Sequence, residues 1–300
     1  MTEDSFTEVR QVVTEKVNRF LQNVFNEYET DLTAQAALYS LLGGGKRLRP
    51  LLTMIIGEML SVPEDILIPF AGSIEMIHTY SLIHDDLPCM DDDSIRRGRA
   101  TCHVEYDEAT ALLAGDALLN RAYEILFEEC ISGSKEKGKA ASYIARCSGI
   151  GGMIGGQSED IHAMIHSISP ESLYSLHKKK TGALISASIL VPHILKGEYS
   201  RSEETRDFLF SFAEHLGLSF QIKDDLLDYS STTSLMGKTV GKDEKAGKAT
   251  FVTVFGLQKA RSLYDMEMKA VYHALNGLAR LGYNTVLITD LTDVIHEREN

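Results

Sequence analysis

Apolar residues recur at spacings of three and four along most of this 300-residue chain. That periodicity is typical of amphipathic α-helices, and the strict alternation of a half-buried strand is almost absent. Only six prolines interrupt the pattern. Helices are predicted over residues 8–30, 33–42, 50–60, 66–84, 108–129, 138–165, 171–190, 203–229 and 249–276.

Three predicted segments, residues 111–127, 180–195 and 207–222, are apolar on more than one face. Such helices belong to the middle of a bundle, where neighbours cover them on several sides. No linker, repeat or low-complexity stretch divides the chain, and 44% hydrophobic content is enough for a sizeable core. The sequence therefore predicts one all-α domain over residues 1–300, a single large helical bundle.

The net charge of −13 argues against a nucleic-acid-binding surface. It also disfavours an anionic substrate, unless metal ions or local basic clusters reverse the potential at the site. The four cysteines show no Cys-x-x-Cys spacing, and the acidic, polar N-terminus differs from a secretory or transit peptide. No uninterrupted apolar run approaches the roughly 18 residues that a membrane span needs. We expect a cytoplasmic protein with reduced thiols and no membrane anchor.

Two clusters of aspartates with Asp-Asp-x-x-Asp character interrupt otherwise apolar runs. An unpaired carboxylate is costly to bury, so carboxylates in such places usually hold a hard cation. We interpret the clusters as two facing halves of one Mg²⁺-dependent site. They comprise Asp85, Asp86 and Asp91 in the first and Asp224, Asp225 and Asp228 in the second.

The spacing of the second cluster suits a metal site on one side of a helix. Positions separated by zero, one and four residues point at about 0°, 100° and 40° around a helical axis. Asp224 and Asp228 therefore lie one turn apart in one sector, with Asp225 beside them. Mg²⁺ prefers a couple of carboxylates completed by water and substrate phosphate, which this arrangement can provide.

The first cluster does not fit a continuous helix. Asp91 follows Asp85 by six positions and would point about 120° away from it. Pro88 disrupts the helix, so a local bulge after Asp86 is predicted to return Asp91 to the metal side. The competing interpretation is an acidic helix end, and it is favoured for residues 91–93 taken alone. For Asp85 and Asp86, the apolar residues that precede them favour the interpretation as a metal site.

Basic residues gather near both aspartate clusters. Glycine lets backbone N–H groups approach an anion, and arginine and lysine can neutralise a diphosphate. A Walker loop is excluded because its glycine–lysine spacing is missing. Single basic residues are more often solvated surface, and it is their alternation with acidic groups that favours diphosphate binding. The residues concerned are Gly45, Lys46, Arg47, Arg49, His78, Arg96, Arg97, Lys180, Thr181, Lys238 and Lys248.

From about residue 36 to its end the chain resembles the trans-isoprenyl diphosphate synthases, and among them the bacterial farnesyl diphosphate synthase type. Two aspartate motifs in this order and context are highly specific to that family. The resemblance rests on residues 44–50, 75–103, 155–160, 180–182, 220–225 and 237–250.

The resemblance implies an isoprenoid synthase fold with a central active-site cavity, usually in a homodimer. It implies a prenyltransferase that joins isopentenyl diphosphate head-to-tail to dimethylallyl or geranyl diphosphate, yields farnesyl diphosphate and releases diphosphate. It also implies about three Mg²⁺ ions per site, held through the substrate diphosphate. Two alternatives stay open: a geranylgeranyl or longer-chain synthase, and a non-catalytic subunit of a heteromeric synthase. A class I terpene cyclase fits less well, because the second motif repeats Asp-Asp-x-x-Asp.

The resemblance also assigns roles position by position. The metal ligands would be Asp85, Asp86, Asp91, Asp224, Asp225 and Asp228. The ligands of the allylic diphosphate would be Arg96, Lys180, Thr181, Gln221, Lys238 and Lys248. The ligands of isopentenyl diphosphate would be Gly45, Lys46, Arg49, His78 and Arg97. The residues expected to act in catalysis are Asp85, Asp86, Asp91, Asp224, Lys180 and Lys238.

Product length is expected to depend on residues one turn before Asp85. The resemblance implies that an aromatic side chain five residues before the first aspartate blocks the tunnel and stops growth at fifteen carbons. Tyr80 occupies that position and favours a farnesyl product. The small Ser81 beside it leaves a longer product open.

Overall fold

The computed structural model describes residues 3–131, 133–166, 168–197, 203–235 and 249–297. The chain forms two compact units, one of residues 1–142 with 194–196 and one of residues 143–193 with 197–300. The prediction that residues 1–300 form a single domain stays a prediction.

Helices account for nearly all of the regular structure. The first unit begins with α1 (Glu3–Gln22), a short 3₁₀ turn (Asn26–Tyr28), α2 (Leu32–Leu41), α3 (Leu48–Met59), α4 (Glu64–Asp85), β1 (Ile95–Arg96), β2 (Arg99–Ala100), α5 (Cys102–Glu105) and α6 (Glu108–Ile131). The chain continues with α7 (Lys135–Ser148), α8 (Met153–Ala163), α9 (Pro170–His177), a π-helix (Lys178–Gly182), α10 (Ala183–Lys196), α11 (Glu203–Leu235), α12 (Phe251–Phe255), α13 (Leu257–Arg280) and α14 (Val286–Glu297).

The all-α fold predicted from the periodicity is confirmed. Among the described residues the only strands are β1 and β2, a two-residue antiparallel ladder. Three predicted helices are wrong in their extent. The one over residues 8–30 ends at Gln22, and a short 3₁₀ turn at Asn26–Tyr28 follows it. The one over residues 138–165 divides at a glycine-rich turn, residues 149–152, because glycine is a poor helix former. The one over residues 249–276 breaks at Gly256, where φ is 79°. The sequence did not predict α14.

Helix α4 forms the centre of the first unit, where it packs against α3 and α6. Its side chains Phe70, Ile74 and Ile77 are fully buried. The approach of α6 is close, because a Cβ on Gly115 would lie only 2.2 Å from Nε2 of His84. Neighbours therefore cover α4 on several sides.

Helix α4 is also the one helix among the described residues that is long and apolar enough to cross a membrane, by length and composition alone. The sequence did not predict such a helix. Of the window that meets this criterion, 67% is buried inside the structure, as is typical of a core helix.

Helices α11 and α13 form the centre of the second unit and pack against each other along much of their length. Phe212 and Leu216 of α11 and Val271 of α13 are fully buried. A Cβ on Gly277 would lie 2.3 Å from the ring of Phe208, so the absence of a side chain permits the close contact. This packing fixes the helix that carries the second aspartate cluster.

A buried ion pair joins the start of α3 to α4 in the first unit. Arg47 Nη1 lies 2.9 Å from Glu75 Oε1, and both side chains are 2% exposed. Arg47 also donates to Asn18 Oδ1 and to the carbonyl oxygen of Leu41. Because its donors are taken up inside the protein, Arg47 is structural, although it stands between two predicted diphosphate ligands.

We predict that Arg47→Met lowers the free energy of unfolding by about 3–5 kcal/mol, because the Glu75 carboxylate is left buried without its partner. Urea unfolding measures the change. The control is Lys16→Met, which breaks the exposed Lys16–Glu64 pair and should cost less than about 1 kcal/mol. Similar losses for both variants would contradict a special role for the buried pair.

Candidate active site

The first aspartate motif lies where α4 ends. The helix stops at Asp85, and the N–H of Asp91 donates to the carbonyl oxygen of Asp85 at 2.9 Å. Asp92 then has a positive φ of 52° as the chain reverses. The backbone of Asp91 thus returns to Asp85, as the sequence predicts. It does so through a loop after the helix end and not through a bulge within the helix.

Asp86 is buried and paired with Arg96. Arg96 Nε donates to both carboxylate oxygens, at 2.7 and 2.8 Å. Burial raises the pKa of Asp86, and the hydrogen bonds from Arg96 oppose that shift. Although burial alone would lower it, the pKa of Arg96 is raised by the Asp86 carboxylate. A predicted metal ligand and a predicted diphosphate ligand therefore contact each other in this structure.

The β1–β2 hairpin holds Arg97 against the glycine turn that precedes α3. Its central residues, Arg97 and Gly98, have φ of 53° and 75°. Positive φ values at both central residues are typical of a type I′ turn. Arg97 Nη1 donates to the carbonyl oxygen of Gly44. A Cβ on Gly45 would lie 2.5 Å from the same Nη1, so only glycine allows the guanidinium to lie there.

Half-buried His78 lies in the field of several arginines. Burial lowers the pKa of His78 well below its usual value, and the charges of Arg49 and then Arg97 lower it further. His78 is therefore neutral at pH 7. The structure brings Gly45, Arg49, His78 and Arg97 into one region, and the predicted ligand Lys46 is exposed beside them.

Tyr80 lies on α4 just before the first motif and is 5% exposed. Its ring packs edge-to-face on His84 at 5.7 Å. Burial raises the pKa of Tyr80, and the neighbouring Tyr123 and Asp85 raise it further. Within the described ranges its hydroxyl has no hydrogen-bond partner. The hydroxyl of the half-buried Ser81 donates to the carbonyl oxygen of His78 at 2.9 Å.

Helix α11 carries the second aspartate motif, in which Asp225 is the most buried member. Asp225 Oδ2 accepts the N–H of Phe251, the first residue of α12, at 2.7 Å. Asp225 Oδ1 accepts from Nε2 of Gln221 at 2.9 Å, and Gln221 Oε1 accepts from the Thr181 hydroxyl at 2.9 Å. Burial raises the pKa of Asp225 to about 7, although these hydrogen bonds oppose the shift.

Lys180 and Thr181 lie in the π-helix between α9 and α10. Such turns are frequent at functional sites. A Cβ on Gly156 of α8 would lie 2.2 Å from the backbone nitrogen of Lys180. Lys180 Nζ lies 2.5 Å from Oδ2 of Asp160, which is 8% exposed. Close packing and one ion pair therefore hold the predicted catalytic lysine in place.

His177 lies just before the π-helix and is 5% exposed. Its ring stacks on Phe251 at 5.3 Å. Neither ring nitrogen has a hydrogen-bond partner in the described part of the chain. Burial lowers the pKa of His177 to about 4, with Asp160 opposing the shift.

Three of these residues were missed from the sequence: Asp160, His177 and Phe251. Asp160 lies in a segment that supports the resemblance, and its only signal was a carboxylate next to Glu159 in a predicted helix. Phe251 acts through its backbone N–H, for which the sequence carries no signal. The predicted ligands Lys238 and Lys248 lie outside the described residues.

The aspartates fit Mg²⁺ completed by substrate. No group of three or more His, Cys, Asp or Glu side chains able to hold a metal occurs among the described residues. Mg²⁺ does not require one, because it keeps several waters and binds one or two carboxylates plus phosphate oxygens. Asp85 and Asp91, joined through their backbones, offer one such pair. Asp224 and Asp228, one turn apart on α11, offer another.

A helical fold with two aspartate-rich motifs and grouped arginines and lysines defines a prenyltransferase of the trans-prenyl synthase class. The chain belongs to the polyprenyl synthetase family, whose family model matches residues 30–277.

The relatives of this chain include proteins named as farnesyl and as geranylgeranyl diphosphate synthases. The chain is 39% identical to a farnesyl diphosphate synthase of Haemophilus influenzae, over 94% of this chain and 95% of that protein. It is 36% identical to geranylgeranyl pyrophosphate synthase 4 of Arabidopsis thaliana, over 88% of this chain and 70% of that protein.

Solved structures agree with the fold. The geranyltransferase of Legionella pneumophila matches with a TM-score of 0.86 and 31% identity, covering 99% of each chain. The geranyltransferase of Helicobacter pylori, complexed with magnesium and isoprenyl diphosphate, matches with a TM-score of 0.77 and 31% identity. It covers 99% of this chain and 97% of that one. The isoprenoid synthase fold predicted from the resemblance is confirmed.

We predict that His177 contributes a loss of stability as the pH drops from about 6.5 towards 4, because unfolding frees it to bind a proton that the folded state excludes, whereas the raised pKa of Asp225 contributes in the opposite direction. A shift from the usual histidine pKa to about 4 corresponds to a loss on the order of 3 kcal/mol. Urea unfolding across this range measures it. Relative to the wild type, His177→Phe should gain stability progressively as the pH falls through this range, whereas the exposed-site control His166→Phe should follow the wild type. Equal profiles for all three proteins would contradict the assignment.

Proposed function

We propose that this prenyltransferase condenses isopentenyl diphosphate with dimethylallyl or geranyl diphosphate to give farnesyl diphosphate, using Mg²⁺. The observation that carries the proposal is the grouping of Gly45, Arg49, His78 and Arg97 beside the end of α4. The two arginines of this group, beside a neutral histidine and a glycine backbone, suit a diphosphate pocket in a protein whose net charge is −13. That pocket needs no metal, because its arginines neutralise the anion directly.

We propose that Asp85, Asp86 and Asp91 of the first cluster and Asp224 and Asp228 of the second provide the Mg²⁺ sites, with Asp225 beside them. About three ions per site are expected, and the substrate diphosphate completes their coordination. The bound Mg²⁺ would act as a Lewis acid that stabilises the negative charge of the departing diphosphate.

Arg96, Lys180, Thr181 and Gln221 would bind the allylic diphosphate. The guanidinium of Arg96 has five N–H donors, so it can keep its bond to Asp86 and still donate to a phosphate oxygen. Lys180 is held in place by its ion pair with Asp160. Its ammonium group can also bind a phosphate oxygen when the substrate is present. The predicted ligands Lys238 and Lys248 would add two further cations.

These cations stabilise charge where it develops, as the bond from C1 to the diphosphate oxygen breaks. The double bond of isopentenyl diphosphate then attacks the allylic cation. The released diphosphate is a suitable base for the proton that is lost, so no dedicated protein base is required. The low pKa of His78 makes it a hydrogen-bond partner that carries no charge, which suits a binding role.

The product assignment depends on Tyr80, with Ser81 beside it. A buried aromatic ring without a polar partner suits the closed end of an apolar tunnel, where it would stop growth at fifteen carbons. A geranylgeranyl synthase is the second candidate, favoured by the small side chain of Ser81. A non-catalytic subunit is disfavoured because both aspartate motifs are complete.

We also propose that the protein is a cytoplasmic homodimer. Its cysteines are unpaired thiols, which suits a reducing compartment. On α6, Leu113, Phe127 and Ile131 are more than half exposed and lie within about 40° of one another around the helix axis. An exposed apolar face of this kind suits a second copy of the chain, and the molar mass in solution is the deciding measurement.

Product analysis tests the proposed function. Purified protein is incubated with Mg²⁺, isopentenyl diphosphate and each allylic starter in turn, and the dephosphorylated products are measured for chain length. We expect a fifteen-carbon alcohol from both starters. A twenty-carbon product would support the geranylgeranyl alternative, and no condensation by folded protein would contradict the proposal.

We predict that Tyr80→Ala lengthens the main product by at least one five-carbon unit, because it removes the ring that closes the tunnel. The same chain-length analysis measures the effect. Tyr123→Ala, which truncates a neighbouring tyrosine on α6, is the matched control and should leave the main product unchanged. An unaltered product from Tyr80→Ala would mean that the tail follows another path.

A further inference from the structure

Asp225 is bonded differently from a simple metal ligand. Its side chain is buried, and each carboxylate oxygen accepts a hydrogen bond from the protein, one from Phe251 and one from Gln221. Gln221 in turn accepts from Thr181. A chain of hydrogen bonds therefore runs from the start of α12 through α11 to the π-helix.

The bond to Phe251 satisfies a donor that needs a partner. The first N–H groups of a helix have no acceptor within it. Phe251 is fully buried, so water does not replace a missing acceptor. The Thr250 hydroxyl accepts from the N–H of Thr253, and Asp225 accepts from the N–H of Phe251. The carboxylate therefore completes the capping of α12.

The bond to Gln221 fixes a substrate ligand. A glutamine side chain can rotate and can exchange its amide nitrogen and oxygen. In its ionised form Asp225 only accepts hydrogen bonds, so Nε2 of Gln221 points towards it. Gln221 Oε1 then faces Thr181 and accepts a hydrogen bond from its hydroxyl. One carboxylate thus holds two proposed ligands of the allylic diphosphate in place, Gln221 directly and Thr181 through Gln221.

We propose that Asp225 is a positioning residue, which orients Gln221 and Thr181 and anchors α12, and that Asp224 and Asp228 are the metal ligands of the second motif. The inference rests on the proposed function and revises the role predicted for Asp225. From the sequence the three aspartates have similar roles, whereas their hydrogen bonds separate Asp225 from the other two.

The substitution Asp225→Asn distinguishes the two roles. The new amide can accept from Phe251 through its oxygen and donate to Gln221 through its nitrogen, if the Gln221 amide turns over and the Thr181 hydroxyl accepts in place of donating. The whole chain of hydrogen bonds is then satisfied. A neutral amide is, however, a much poorer ligand for Mg²⁺ than a carboxylate. Asp225→Asn therefore keeps Gln221, Thr181 and α12 connected by hydrogen bonds, with the Gln221 amide turned over, and removes the metal-binding role.

The experiment compares Asp225→Asn, Asp225→Ala and the metal-ligand control Asp224→Asn with the wild type. Condensation is assayed with geranyl and isopentenyl diphosphates over a range of Mg²⁺ concentrations. We expect Asp225→Asn to retain kcat/KM within about fivefold, with an unchanged half-saturating Mg²⁺ concentration. Asp225→Ala should lose about 100-fold, because misplaced groups react poorly. Asp224→Asn should lose activity and require more Mg²⁺.

Thermal unfolding without Mg²⁺ adds a readout that is independent of activity. Asp225→Ala should lower Tm by about 5 °C relative to the wild type, because two buried donors lose their acceptor. Asp225→Asn should have a Tm close to that of the wild type. Loss of activity and a raised Mg²⁺ requirement in Asp225→Asn, as in Asp224→Asn, would overturn the inference. So would a Tm of Asp225→Ala equal to that of the wild type. If the wild type condenses nothing, the proposed function fails. The thermal unfolding of the variants still tests whether Asp225 anchors α12.

Discussion

A carboxylate removed from water must find donors inside its own protein, and this requirement organises the candidate site. Asp86 meets it with Arg96, Asp160 with Lys180, and Asp225 with Gln221 and the backbone of Phe251. Each buried acid thereby fixes a group that the proposed reaction uses. The buried acidic residues therefore orient the cations and polar ligands of the candidate site, in addition to contributing to the net charge of the chain.

The helical scaffold makes these pairings possible through small residues. Gly115 lets α6 approach α4, Gly156 lets α8 approach the π-helix, and Gly45 leaves room for the guanidinium of Arg97. Side chains at these points would push apart elements whose spacing sets the hydrogen-bond distances. Packing and electrostatics are thus coupled, since the short ion pairs exist only where the backbones are close.

Many features of the fold and of the candidate site could be predicted from the sequence. The 3–4 periodicity indicated the helices, and the spacing of Asp224 and Asp228 placed them one turn apart on α11. The return of Asp91 to Asp85 was predicted from Pro88, because proline breaks a helix. The division of the segment over residues 138–165 was not predicted, although its glycines are a local signal. The π-helix at Lys180 was not predicted because it packs against α8 and α11, which are separate elements of the chain.

The sequence by itself determined the helical class, the two acidic motifs and the family resemblance, because periodicity and residue spacing are local properties. Only the tertiary structure decided which of those residues are paired with one another. It paired Arg47, which stands among the basic residues before α3, with Glu75, and it provided Asp225 with two protein donors. The physical reason is that the free energy of a buried charge depends on its neighbours in space, and those neighbours come from distant parts of the chain.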